Sequence, residues 1–122
     1  MQVDKLCDKA APASALLKAM SNRHRLLILC HLVGTERCVG ELEELVGVSQ
    51  SALSQHLARL RRDALVKTRR DAQTIYYSLA GTQARAVIET LNRLFCQPAG
   101  RQAAERGTSK SPAAKSQILV ER

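Results

Sequence analysis

Few residues in this chain can do covalent or ligand chemistry: Cys7, Cys30, Cys38 and Cys96, with His24, His31 and His56. No two cysteines stand at Cys-x-x-Cys spacing, whereas a structural zinc site wants four nitrogen or sulfur ligands at short repeated intervals. Cys30 and His31 are adjacent, but neighbours on a helix point about 100° apart and do not couple as nucleophile and base. No other nucleophile, base and orienting group fall together, so neither an enzyme nor a cofactor is expected. Cys30 sits among Leu26, Leu27, Leu29 and Leu32. A cysteine in such a setting reads either as a small core residue or as a reactive thiol. Cys96 is equally open between the two, although a helix end favours reactivity. Cys38 reads most simply as a weak helix cap, and Cys7 carries no functional expectation.

The second chemical feature is charge. The 122 residues hold 19 Lys and Arg against 11 Asp and Glu, a net charge of +8. A small protein this basic is a candidate for binding a polyanion. Aromatic residues are only 2% of the chain, namely Tyr76, Tyr77 and Phe95, which argues against base-stacking platforms for single strands. Six basic residues (Arg59, Arg61, Arg62, Lys67, Arg69 and Arg70) cluster around one acid, Asp63. A solvated face is the plain reading of a charge run, so the elements beneath it decide. The apolar run Leu26–Val33 is broken by His31 and is far short of the roughly 20 residues a membrane span needs. Asp4, Lys5, Asp8 and Lys9 interrupt any signal-peptide core. The expected location is the cytoplasm, where thiols stay reduced.

Most of these elements read as helices. Ala13, Leu16, Leu17 and Met20 have helical spacing, with Pro12 suited to a first turn. Ser21 or Asn22 can cap a second helix from Arg23 to about Val33, and Gly34 stops it. A third helix begins near Val39 and is expected to bury Val39, Leu42, Leu45 and Val46. Gly47-Val48-Ser49 then breaks the chain, and Ser49 can cap a helix from about Gln50 to Asp63 with Ala52, Leu53, Leu57 and Leu60 inward. Two short helices joined by a Gly-containing turn form a helix-turn-helix. The period then becomes two: Val66, Thr68 and Arg70, a loop at Asp71–Thr74, then Ile75, Tyr77 and Leu79. That is a two-stranded hairpin, and a hairpin after a recognition helix is the wing of a winged helix. Thr82 caps a last helix with Ala84, Val87, Ile88, Leu91, Leu94 and Phe95 on a wide apolar stripe, wide enough to face a second subunit. Three segments follow: residues 1–12, partly ordered or a short helix; a domain over 13–96; and a flexible basic tail over 97–122, rich in Ala, Ser, Gly and Pro.

This layout places the basic cluster at the end of the recognition helix and on the first wing strand, along a DNA backbone if that helix enters the major groove. Gln50, Ser51, Ser54, Gln55 and His56 near the helix start are suited to base edges and phosphates. The plain alternatives are capping for Ser49 and Ser51, and for His56 a half-buried polar residue packed on the hairpin.

The block SNRHRLLILCHLVGTERCVGELEELVGVSQSALSQHLARLRRDALVKTRRDAQTIYYSL resembles the ArsR/SmtB family of dimeric winged-helix repressors, most specifically in ELEELVGVSQSALSQHLARLRRDALV and IYYSL. The resemblance covers roughly Ala13–Cys96. It implies a mainly α fold with a two-stranded β-hairpin wing, a homodimer built through the first and last helices, and an inverted-repeat operator in double-stranded DNA. The family's Cys-Val-Cys metal site corresponds here to Cys38-Val39-Gly40, without the second thiolate. The start of its last-helix zinc site corresponds to Gly81-Thr82-Gln83, and no His follows His56. No metal site is therefore expected. The positions of Cys30 and Cys96 resemble the sensing dithiol of the sulfide-responsive, BigR/SqrR-like branch, which implies reactive sulfur species as the inducer. A metal- or arsenical-responsive repressor using Cys38 is the alternative within the family. A constitutive DNA-binding protein without an inducer is the alternative outside it.

Overall fold

Two caps and one glycine set the helical frame. The Asn22 side-chain oxygen accepts from the amides of His24 and Arg25, at 2.9 and 3.1 Å, and starts a helix there. The Ser49 hydroxyl accepts from the Ala52 amide at 3.2 Å and starts another. Each satisfies amides that the first helical turn would otherwise leave open. Gly47, at φ 75°, turns the chain between the two helices of the helix-turn-helix in a left-handed conformation that costs glycine little.

The computed structural model describes residues 1–96. In chain order these form α1 (Val3–Asp8), α2 (Ala10–Met20), α3 (Arg23–His31), β1 (Arg37–Cys38), α4 (Val39–Val46), α5 (Gln50–Arg62), β2 (Val66–Asp71), β3 (Thr74–Leu79) and α6 (Gln83–Phe95). The chain divides into two compact units, Met1–Ile88 and one beginning at Glu89. The expected tail over 97–122 lies outside the described residues. No helix among the described residues is long and apolar enough to cross a membrane.

The first unit closes on one apolar core. Ile28, Leu29 and Leu32 from α3 and its end meet Leu42 and Val46 from α4, and Leu53, Leu57 and Leu60 from α5. Leu65, Val66, Ala19, Met20 and Ala84 complete it. Burying a leucine fully is worth about 1.5–3 kcal/mol, so the α5 leucines fix that helix firmly. Leu45, expected inside, is 43% exposed, and Leu17 on α2 is 56% exposed.

The mainly α fold with an antiparallel wing is as expected, with one addition. β2 and β3 pair from Val66↔Leu79 to Asp71↔Thr74. β1 adds a third strand on the other side of β3, through Arg37↔Tyr77 and Cys38↔Tyr76. A two-residue strand is too short to show an alternation, so its pairing leaves no trace in the sequence pattern. The helix expected from Ala13 begins at Ala10, which puts Pro12 in its first turn, and Leu6 and Cys7 fall within α1.

The exit from α5 carries a strained residue. Ala64 has φ 61°, and behind it the Leu65 amide donates to the Leu60 carbonyl at 2.9 Å, closing the helix end. Left-handed backbone costs an L-residue about 1–2 kcal/mol relative to glycine's freedom. Ala64→Gly is therefore expected to raise the unfolding free energy by up to about 1 kcal/mol in urea titration, after glycine's extra unfolded-state entropy is deducted; a loss of stability would contradict this reading of the helix end.

Candidate nucleic-acid interface and thiols

With Leu53, Leu57 and Leu60 sunk in the core, α5 presents Gln50, Ser51, Ser54, Gln55, Ala58, Arg61 and Arg62 outward, all exposed. Ser51 stands 3.4 Å from Ser49, hydroxyl to hydroxyl, so it joins the cap as well as the outer face. Ala58 was not among the expected residues. A lone alanine carries no charge or polarity to mark it, yet an exposed methyl on such a face suits the methyl group of thymine.

His56 behaves differently from its neighbours on α5. It is half-buried, and its ring centre lies 5.7 Å from that of His24 on α3, with the planes tilted by 40°. This corrects the alternative in which it packs on the hairpin: the side chain faces the start of α3. Burial, then the neighbouring His24 and Arg25, push its pKa below the ordinary histidine value. Arg25 itself ties two helices together, its Nε donating to the Ala19 carbonyl at 2.7 Å and its Nη2 to the Lys18 carbonyl at 3.3 Å.

The six basic residues divide by their partners. Arg59 donates from Nε to Asp63 one turn on, at 2.9 Å, and Arg62 lies 3.6 Å from the other Asp63 oxygen. The hydrogen bond from Arg59 holds the Asp63 carboxyl below its usual range, outweighing burial. Arg69, on β2, is clamped by Glu36 from the segment between α3 and β1. Its Nε donates to both carboxylate oxygens, at 3.0 and 2.9 Å, and Nη2 donates to Oε1. The Arg69 guanidinium also lies 4.5 Å from the ring centre of Tyr76, its cross-strand neighbour. Among the described residues Arg61, Lys67 and Arg70 form no ion pair. Arg61 and Arg62 line an open notch of about 390 Å³ with Ser54, Tyr77 and Val39. Lys67 lines another of about 260 Å³ with Thr35, Ser78 and Arg85.

All four cysteines are thiols. Cys30 is exposed near the end of α3, although its sequence neighbours Ile28 and Leu29 are fully buried. Cys96 is exposed directly after α6, in the second unit, its amide bonded to the Asn92 carbonyl at 2.8 Å. Cys38 is half-buried at the start of α4, where its amide donates to Glu41 at 3.0 Å, the expected capping arrangement. Among the described residues no group of three or more His, Cys, Asp or Glu is gathered to hold a metal ion.

A helix-turn-helix whose second helix faces outward, followed by a basic antiparallel hairpin, defines a winged-helix DNA-binding regulator. Residues 22–68 match the family described as bacterial regulatory protein, arsR family. The transcriptional activator HlyU of Vibrio cholerae is 54% identical over 97 residues, covering 80% of this chain and 90% of that protein. A solved structure described as reduced HlyU from Vibrio cholerae superposes with a TM-score of 0.71 at 54% identity, over 80% of this chain and 100% of that one. The transcriptional repressor BigR from Xylella fastidiosa superposes with a TM-score of 0.76 at 37% identity, over 80% of this chain and 99% of that one. The chain belongs to the arsR family of transcriptional regulators, a family of DNA-binding proteins and not of enzymes.

The depressed pKa of His56 makes stability depend on pH in a defined direction. The unfolded chain takes up the proton first, so stability is complete above about pH 6.5 and falls as the pH drops from there toward the folded-state value. His31, lowered by burial and by Arg37, acts in the same sense. The fall in urea midpoint between about pH 7.5 and 5.5 should be smaller in His56→Gln than in the wild type. An identical fall in both would show that His56 feels no such environment.

Proposed function

We propose that this regulator is a homodimeric repressor that binds an inverted-repeat operator and releases it when reactive sulfur species bridge Cys30 and Cys96. The observation that carries the reading is the exposure of Cys30. On a helix whose neighbouring positions are buried, a cysteine serving only as core packing would point inward; this one is open to a soluble reagent. Cys96 is open as well. Similarity to the repressor BigR and to HlyU, the latter solved in a form described as reduced, supports the reading.

The chemistry balances with polysulfide as the oxidant. One cysteine thiolate attacks a sulfane sulfur, forming a Cys–S–S bond and expelling a shortened polysulfide. The second thiolate then attacks the first Sγ and expels hydrosulfide, leaving a disulfide. If the cap carries two added sulfurs, attack on the inner one expels hydrosulfide and leaves a trisulfide. Two thiols are oxidised by two electrons, and sulfane sulfur is reduced to sulfide. Such a bridge would tie α3 to the end of α6.

Leu17 on α2 and Leu94 and Phe95 on α6 expose 56%, 70% and 80% of their surface, which supports a dimer through those helices. A dimer of this kind would hold its two α5 helices about one DNA turn apart, about 34–36 Å. Gln50, Ser51, Ser54 and Gln55 would read base edges, with His56 set behind them, and Arg59, Arg61, Arg62, Lys67, Arg69 and Arg70 would serve the backbone. A bridge that shifts α6 changes that spacing, and a coupling of about 1–3 kcal/mol would weaken binding about 5- to 150-fold.

Cys30→Ser and Cys96→Ser should each bind DNA like the reduced wild type in fluorescence anisotropy, and neither should be released by inorganic polysulfide. Release of both variants would overturn the dithiol assignment. Arg70→Ala should weaken binding to all duplexes alike and reduce the slope of log affinity against log salt by about 0.9; an unchanged slope would remove Arg70 from the backbone contacts.

A further inference from the structure

Glu36 reaches the wing from outside it. Its carboxylate occupies the fork of Arg69, with Nε shared between both oxygens and Nη2 on one of them. That is the side of a guanidinium on which a phosphate would dock. Tyr76 lies against the guanidinium face and holds it in place, leaving the fork as the working edge. The two side chains are 52% and 36% exposed, so the pair sits in water rather than bracing the core. A pair so exposed adds little to folding, and β2 and β3 already hold their register through six cross-strand pairs.

Resting on the reading that the wing lies along the DNA backbone, we infer that Glu36 is an internal competitor for DNA phosphate and sets how strongly the wing grips DNA. A phosphate can take the Arg69 fork only by displacing Glu36, and the displaced carboxylate stays close enough to repel it. Arg69 therefore contributes less than a full counterion-releasing contact, although it is one of the most prominent cations of the sequence cluster. In a chain with a net charge of +8, this device limits sequence-independent adhesion to DNA while leaving the base-facing side of α5 untouched.

The test uses the full-length chain, a random-sequence duplex and a salt titration. Glu36→Gln should tighten binding about two- to fivefold at low salt and steepen the salt slope by about 0.9. Glu36→Asp, which keeps the charge, should stay near the wild type. Asp4→Asn, which makes the same change in net charge on α1, should leave the slope unchanged. Arg69→Ala should cost more affinity in the Glu36→Gln background than in the wild type, and thermal melting should show every variant folded. Weaker binding or an unchanged slope in Glu36→Gln would overturn the inference. If Arg61→Ala and Arg70→Ala still flatten the slope in that event, the competitor role fails by itself; if they too change nothing, the wing-to-backbone reading fails with it.

Discussion

The rotation of α5 about its own axis governs the rest of this structure, and three leucines set it. Leu53, Leu57 and Leu60 are at most 2% exposed, locked between α3, α4 and the start of β2. A helix places successive residues about 100° apart, so fixing that stripe decides which side chains meet solvent. Gln50, Ser54, Gln55 and Ala58 fall on the outer face, and Arg61 and Arg62 fall beside the sheet. His56 and Arg59 turn toward the α2–α3 side, where His56 meets His24 and Arg59 lines a notch with Lys18 and Arg25. Packing of a few methyl groups thus sorts the polar residues into those that can face a ligand and those that serve the fold.

The same sorting applies to charge. A sum of cations overstates what this surface offers a polyanion, because Arg59 and Arg62 share Asp63 and Arg69 is held by Glu36. Pairing a surface arginine leaves its charge in place but raises the cost of handing it to another anion. Affinity for DNA then depends on which acids stand beside the cluster, and not only on the number of basic residues in it.

Local patterns carried most of the architecture. The helical stripe of α5, the Gly47 turn, the Ser49 cap and the alternation of β2 and β3 all arise from neighbours in sequence, and each stands where periodicity puts it. What escaped is long-range. β1 pairs with β3 across nearly forty residues of chain, through only two positions. Glu36 meets Arg69 at a separation of 33 residues, and no periodicity relates an isolated acid in a turn to a distant strand. His24 and His56 meet only because α3 and α5 share a core. Cys30 shows the reverse case: its apolar neighbours favour burial, yet helix geometry carries it to the surface while Ile28 and Leu29 turn inward.

A switch made of two thiols should write its history into the mass of the protein. The most direct measurement treats the reduced, DNA-bound chain with inorganic polysulfide and reads intact mass, cross-linked peptides and DNA binding on one sample. A bridge joining Cys30 to Cys96, with or without whole added sulfur atoms, should appear in step with loss of the DNA complex. Dissociation while both thiols remain unmodified, or a complete bridge on protein still bound to DNA, would contradict the proposed switch.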